Sequence, residues 1–250
     1  VNASVIEKHF TILIPAYNCS DWVDGNLASA LQQDYDNYDV VYVDDASTDN
    51  TFEKAKAVLE SSDKKFKLVK NNINVRALSN LYSEISKAKE DTIIITLDGD
   101  DRLAGRDVLK FLNSLYQDDN VWLTAGSYVE NDTYNVVSPI IPGDYWSGNI
   151  RKKPWSFSHL RTFRKKLFDK IRVEDMLDTD GNFYKFTFDR VMMYPMVEMA
   201  GAEHTRLVGE VLYLYNRMNP ISVDRAHRSQ QLRIESVICN KSPYNRVKEL

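Results

Sequence analysis

Three short apolar runs in the first hundred residues each end in a cluster of oxygen-bearing side chains. Phe10–Pro15 (FTILIP) leads into Ala16, Tyr17 and Asn18; Asp39–Asp44 (DVVYVD) into Asp45, Ser47, Thr48 and Asp49; Thr92–Leu97 (TIIITL) into Asp98, Gly99, Asp100 and Asp101. Near-continuous apolar runs of this length read as strands buried on both faces. Phe66–Lys70 is a weaker strand and Val121–Val129 another. Between them the apolar spacing turns helical: Asp21–Gln33 through Trp22, Leu27, Ala30 and Leu31, Thr48–Ser61 through Phe52, Ala55, Val58 and Leu59, Val75–Lys87 through Leu78, Leu81, Tyr82 and Ile85, then Arg106–Tyr116. Ser20 or Asp21 is expected to cap the first helix, and Thr48 or Asp49 the second. Strand–helix alternation of this kind predicts an α/β fold, a mostly parallel central sheet with helices on both faces in three layers. Ligands in such sheets bind at the carboxyl ends of the strands, where the polar clusters lie.

The chain has 250 residues, enough for one large domain spanning 1–250. Its net charge of −4 argues against a nucleic-acid binder, which would be basic. No apolar run reaches the length of a membrane-spanning helix. Val1–His9 lacks the basic and apolar regions of a signal peptide, so a cytoplasmic chain is expected, and the missing initiator Met fits an excised or processed domain. Cys19 and Cys239 match no metal spacing and are expected as free thiols. No G-x-G-x-x-G, P-loop or G-x-S-x-G motif occurs, which disfavours dinucleotide dehydrogenases, P-loop NTPases and α/β-hydrolases. No heptad repeat marks a coiled-coil partner.

The second half is less regular. Asn131–Lys153, interrupted by Pro139, Pro142, Gly143 and Gly148, reads as a long loop or hairpin excursion. Leu160–Ile171, with five basic residues, reads as a short helix with a solvated face. Arg172–Phe186 reads as a loop, Phe188–Met199 as a helix that Pro195 kinks, Val211–Tyr215 as a strand, Arg225–Asn240 as an amphipathic helix, and the last ten residues as a tail.

The chemistry concentrates in aspartate. The chain holds 24 Asp against 12 Glu, and Asp favours turns, caps and metal sites over helix interiors. Asp98-Gly99-Asp100-Asp101 delivers three carboxylates into one turn, where they repel unless a cation or hydrogen-bond donors compensate. A solvated turn is the plainer reading, but its place after a buried strand favours Mn²⁺ or Mg²⁺, hard ions that take carboxylates together with substrate phosphates. Asp44 and Asp45 suit hydrogen bonds to a nucleobase or ribose. Beside Pro15, Tyr17 offers a ring for stacking and Asn18 an amide. Asp189 opens a helix, and the residues leave it open between an N-cap and a general base. His159 and Arg161 suit neutralisation of a leaving diphosphate. Met192, Met193, Met196 and Met199 read as core filler. His204 and His227 are single histidines, each able to complete a metal shell or to serve structure alone.

Taken in order, Ile12–Asn18, Val43–Thr51, Asn72–Asn80 and Leu97–Asp101 resemble the motifs of family 2 glycosyltransferases of the GT-A fold, a Rossmann-like nucleotide-diphospho-sugar transferase fold. Within Asn72–Asn80, Asn74 stands where that family has Gly and Ser79 where it has Arg, so Arg76 is the candidate replacement. Asn tolerates the left-handed conformation that such a Gly would adopt. His159–Phe163, Asp189–Gly201, and Leu212–Asn216 followed by Asn219-Pro220 are similar to a subgroup of the same family. The resemblance implies a nucleotide-sugar-binding half over 1–130 and an acceptor-binding half with a C-terminal helix over 131–250. It implies inverting, metal-dependent transfer from a UDP-sugar to a hydroxyl of a glycan or other acceptor. Pro15, Tyr17, Asn18, Asp44, Asp45, Arg76, Asp98, Gly99, His159 and Arg161 would form the donor site, Asp98 and Asp100 would hold the metal, and Asp189 would be the base. Met218 stands where the family's usual histidine follows the closing strand, which leaves a third metal ligand unassigned. Three other readings stand beside this one. A sugar-1-phosphate nucleotidyltransferase would want a Gly-rich loop in place of Pro15–Asn18. A non-catalytic GT-A module would bind nucleotide or glycan without turnover. An interaction domain would use its aspartates for Ca²⁺ alone.

Overall fold

The computed structural model describes residues 5–139, 141–221 and 226–250; the first four residues and the expected helix start at Arg225 lie outside the described residues. The chain runs β1 (Phe10–Ala16), α1 (Val23–Leu31), β2 (Tyr38–Asp44), α2 (Thr51–Glu60), β3 (Phe66–Lys70), α3 (Arg76–Lys87), β4 (Ile93–Thr96), β5 (Arg102–Leu103), α4 (Val108–Tyr116), β6 (Leu123–Glu130), β7 (Val136–Val137), β8 (Arg161–Arg164), α5 (Lys165–Phe168), α6 (Phe188–His204), β9 (Thr205–Tyr215) and α7 (Arg228–Asn240). One sheet joins the strands in the order β3-β2-β1-β4-β8-β6-β9-β5, with β7 beside β6.

The sheet has a core on each face because its central strands are apolar on both. Phe10, Ile12, Ile14, Val40, Tyr42, Ile93 and Ile95 join the core under α1, α2 and α4. Leu13, Val43 and Ile94 point the other way and join the core under α3, α5 and α6. Alternation along each strand thus divides one apolar run between two cores, which gives the expected three layers. The strands β3-β2-β1-β4 form an all-parallel run; beyond β4 the sheet is mixed, since β8 is antiparallel to both β4 and β6 while β9 is parallel to β6. Among the described residues no helix is long and apolar enough to cross a membrane.

Four local expectations change. The caps differ at both helices: the N-cap position of α1 is Trp22, not Ser20 or Asp21, and that of α2 is Asn50, not Thr48 or Asp49, although the Asp49 carboxylate accepts the Thr51 N–H at 2.9 Å. The segment expected as a basic helix at Leu160–Ile171 is instead β8 followed by the single turn α5. β8 fills the slot between β4 and β6, whose backbone groups would otherwise be unpaired inside the protein. Its Thr162 hydroxyl bonds Thr124 at 2.7 Å and Tyr116 at 2.8 Å, and Phe163 is fully buried. The helix preference of a basic segment amounts to tenths of a kcal/mol per residue, which a buried ladder outweighs.

In α6 the break lies at Gly201 (φ 68°, ψ −171°), not at Pro195. The last ten residues are not a loose tail but a strap along α6. Arg246 donates to the carbonyls of Val197 and Glu198 near that break, the Val247 N–H bonds the Met199 carbonyl, and the Tyr244 N–H bonds Glu198 Oε2 at 3.0 Å.

Glu198 also forms a two-pronged ion pair with Arg151, Nε to Oε1 at 2.6 Å and Nη2 to Oε2 at 2.7 Å, with both side chains buried. Arg151 Nη1 donates to the Ile238 carbonyl of α7 at 3.1 Å. One pair therefore ties α6, α7, the strap and the 150–152 turn together. Arg151→Met strands the Glu198 charge and should lower the unfolding free energy in urea by about 3–5 kcal/mol. Adding Glu198→Leu should recover part of that loss.

Candidate active site

All but one of the expected site residues surround a single cavity of about 560 Å³ at the carboxyl ends of β1 and β4. At the end of β1 the chain turns through Asn18 (φ 47°). Tyr17 lines the cavity and is 38% exposed. The Asn18 amide is already engaged, since its Oδ1 accepts the Thr48 N–H at 2.7 Å. Asp45 is likewise a framework residue. Its Oδ1 accepts from the Val75 N–H (2.9 Å) and Asn71 Nδ2 (2.8 Å), and its Oδ2 from the Arg76 N–H (2.8 Å). That grip holds Arg76 at φ 71°. The left-handed residue of this turn is Arg76, not Asn74 as the resemblance suggested. Asn74 lines the cavity with a buried Oδ1 that has no protein partner, and Arg76 lies over the Phe186 ring at 5.5 Å.

Asp44 is the exception. It is fully buried, lies outside the cavity and accepts the Ser47 N–H at 3.2 Å. Asp44 ends β2 and Asp45 follows it, and of the two only Asp45 lines the cavity.

The acidic turn after β4 carries the strongest electrostatic constraint. Asp98 is partly exposed, with a carboxyl pushed up to about 6 by burial; Arg161 pulls it down, while Asp100 and Asp189 push it up further. Asp101 is 1% exposed and its carboxyl lies well above the usual range, first from burial and then from Asp100 and Asp98. The Tyr213 hydroxyl donates to Asp101 Oδ2 at 2.6 Å and the Asn216 N–H donates to Asp101 Oδ1 at 2.6 Å. Asn219 Nδ2 donates to Asp100 Oδ2 at 2.7 Å.

Arg161 joins the acidic turn to α6. Only 4% of its side chain is exposed, and its guanidinium nitrogens lie 3.9 Å from Asp98 and 4.0 Å from Asp189. Asp189 is in the first turn of α6, and the N-cap position belongs to Thr187, itself left-handed at φ 63°. His159 stacks on Tyr213 with centroids 4.3 Å apart. Burial, and then Arg161, hold its imidazole well below its usual pKa, so it is neutral, and its Nδ1 has no protein partner. Ligand atoms of Asp98, Asp101 and His159 lie within 4.8 Å of one another, a set that could hold a metal ion.

Sequence reasoning gave no role to Tyr213, Asn216, Asn219 or Phe186, which the fold brings to the site from β9, the loop after it and the approach to α6. The quoted Leu212–Asn216 and Asn219-Pro220 segment was the available signal for three of them. His227 also lines the cavity and stacks on Phe186 at 4.9 Å, whereas His204 lies away from it, stacked on Trp122.

Residues 11–182 match the model of the family described as Glycosyl transferase family 2. The chain is 27% identical over 124 residues, 49% of this chain and 47% of the other, to UDP-Glc:alpha-D-GlcNAc-diphosphoundecaprenol beta-1,3-glucosyltransferase WfaP of Escherichia coli. It spans less than half the length of the curated relatives it matches. Among solved structures, TarS of S. aureus aligns with TM-score 0.65 at 16% identity over 92% of this chain and 65% of that one. TarS has also been solved with UDP-GlcNAc. The mannosyltransferase PcManGT of Pyrobaculum calidifontis, in complex with GDP-Man and Mn²⁺, aligns with TM-score 0.67 at 20% identity over 96% of this chain and 66% of that one. At these identities the likeness to the solved structures is one of fold, and that fold is GT-A.

Gly99 bears directly on the acidic turn. A Cβ there would stand 2.8 Å from Ala16 Cβ, 2.9 Å from Ala16 Cα and 3.1 Å from the Pro15 carbonyl. None of these atoms is the end of a flexible side chain. Gly99→Ala should therefore separate the ends of β1 and β4 and cost about 1–3 kcal/mol, read by urea denaturation.

Proposed function

The chain belongs to glycosyltransferase family 2, and on that premise we propose that it transfers a sugar from a UDP-sugar to an acceptor hydroxyl with inversion at the anomeric carbon. The observation that carries the reading is Arg161, which sits within 4 Å of both Asp98 and Asp189. The turn suited to the donor diphosphate and the carboxylate suited to the acceptor thus face one space.

Tyr17 and Pro15 would flank the base. Asp45, whose oxygens already hold the Val75 and Arg76 amides, would act on the nucleotide together with the turn it fixes. Arg76 would face the diphosphate. Asp98 and Asp100 would hold Mn²⁺ or Mg²⁺ as the resemblance implies, and the ligand atoms that lie within 4.8 Å of one another are those of Asp98, Asp101 and His159. The residues present fit such an ion, because His159 offers a neutral, unpartnered nitrogen and the crowded carboxylates gain from a cation. When bound, the ion supplies a Lewis acid that offsets charge on the departing diphosphate. Asp189 takes the proton of the acceptor hydroxyl as that oxygen bonds the anomeric carbon. The bond from that carbon to the UDP oxygen breaks, and UDP leaves with the electron pair. Arg161, between Asp98 and Asp189, holds the two carboxylates in fixed relation.

Thermal shift with UDP and GDP, each with and without Mn²⁺, tests the donor assignment. UDP at 100 times its Kd should add about 2.7 kcal/mol of stability, and EDTA should remove that gain. Preference for GDP would move the donor class, and no response to either nucleotide would sink the reading. Asp189→Asn should lower transfer by about 10²–10⁴-fold while UDP affinity stays within a few-fold. Weakened UDP binding with transfer retained would instead place Asp189 in the donor site.

A further inference from the structure

The acidic turn is held from below by one polar stripe of α1 and the residues just after it. Asn26 is fully buried, and its Nδ2 donates to the carbonyls of both Asp98 (2.9 Å) and Asp101 (2.8 Å), the two ends of the turn. One helical turn on, Ser29 Oγ accepts the Leu103 N–H at 3.0 Å. Gln33 follows, 3% exposed, with Nε2 donating to the Gly105 carbonyl at 2.7 Å and Oε1 accepting the Leu109 N–H at 3.2 Å. Positions 26 and 29 share one face of α1, and Gln33, just past the end of the helix, extends the contacts along the chain as far as Leu109.

Asn26 is an unusual choice for that face. Its Oδ1 is buried without a protein partner, an arrangement that an apolar residue of similar shape would avoid. The side chain lies beside a turn whose carboxylates repel each other. From the opposite side, the Tyr213 hydroxyl accepts the Asp98 N–H at 3.2 Å and donates to Asp101.

We propose that Asn26 is a positioning residue for divalent-cation binding, fixing both ends of the Asp98–Asp101 turn so that its carboxylates stay gathered before the cation arrives. The proposal rests on the metal-dependent reading above. Side chains that orient metal ligands typically alter metal affinity by about 10–100-fold when removed. Gln33, which grips the same loop farther along, sets only its stability.

The test compares Asn26→Leu with Gln33→Leu in the full chain. Mn²⁺ affinity is measured by electron paramagnetic resonance, and hydrogen exchange across residues 98–103 is measured without metal. Asn26→Leu should weaken Mn²⁺ binding at least tenfold and speed exchange across 98–103, while Gln33→Leu should lower Tm with Mn²⁺ affinity unchanged. Equal Mn²⁺ affinities in Asn26→Leu and wild type would overturn the proposal, as would equal exchange across 98–103 in the two variants. If wild type binds no Mn²⁺, the metal reading fails by itself, and the exchange comparison alone decides whether Asn26 fixes the turn. Should Asn26→Leu not fold, Asn26→Ser takes its place with the same two readouts and the same deciding outcomes.

Discussion

The hydrogen bond from the Tyr213 hydroxyl to Asp101, 2.6 Å long and buried, is the contact on which the site depends. Asp98, Asp100 and Asp101 occupy three of four consecutive positions, and like charges so close raise one another's pKa values. Bulk water could screen them, but Asp101 is buried, so its oxygens need fixed donors. Tyr213 and the Asn216 N–H supply them, and both come from the end of the long strand β9. The mixed half of the sheet thus exists in part to bring β9 alongside the acidic turn. With α1 gripping the same turn from the other side, the carboxylates are fixed relative to β1 and β4.

A second constraint fixes the other wall. α6 carries Asp189 at one end and Glu198 farther along. The Arg151–Glu198 pair anchors the helix to the 150–152 turn, α7 and the C-terminal strap. A buried ion pair adds little net stability over an apolar pair of the same size, but its geometry is directional. Here that directionality sets the register of α6, and hence the reach of Asp189 toward Arg161. The break at Gly201 belongs to the same arrangement. A side chain there would stand 2.0 Å from the Arg246 guanidinium, which bonds the carbonyls of Val197 and Glu198. The strap is therefore part of the wall that holds Asp189.

The strands β1, β2 and β4 were legible because each is a short apolar run closed by polar residues, and the placement of those polar groups at one edge of the sheet follows from parallel winding. β8 was not legible. Arg161-Thr162-Phe163-Arg164 has no strong period, and its bases suggested a solvated helix. Only the slot between β4 and β6 makes it a strand, and that slot buries Arg161 between Asp98 and Asp189. Asp44 lies outside the cavity for a simpler reason: it ends β2 with its side chain buried, and which of two neighbouring aspartates turns inward is set by packing.

The sequence by itself determined the layer order of the first half, the acidic turn and the identity of most groups around the cavity. Those features are local: apolar runs of strand length, helical spacing, and aspartates placed within a few residues of a strand end. The tertiary structure alone decided which of these groups are tied into the framework by hydrogen bonds and ion pairs. Asn18 and Asp45 turned out to bind backbone amides, Asn26 and Tyr213 to clamp the acidic turn, and Arg161 to join it to Asp189. Each of those contacts spans residues 28 to 112 positions apart in the chain. Separations of that size are closed by the packing of two cores on one sheet, and no local pattern in the sequence encodes them.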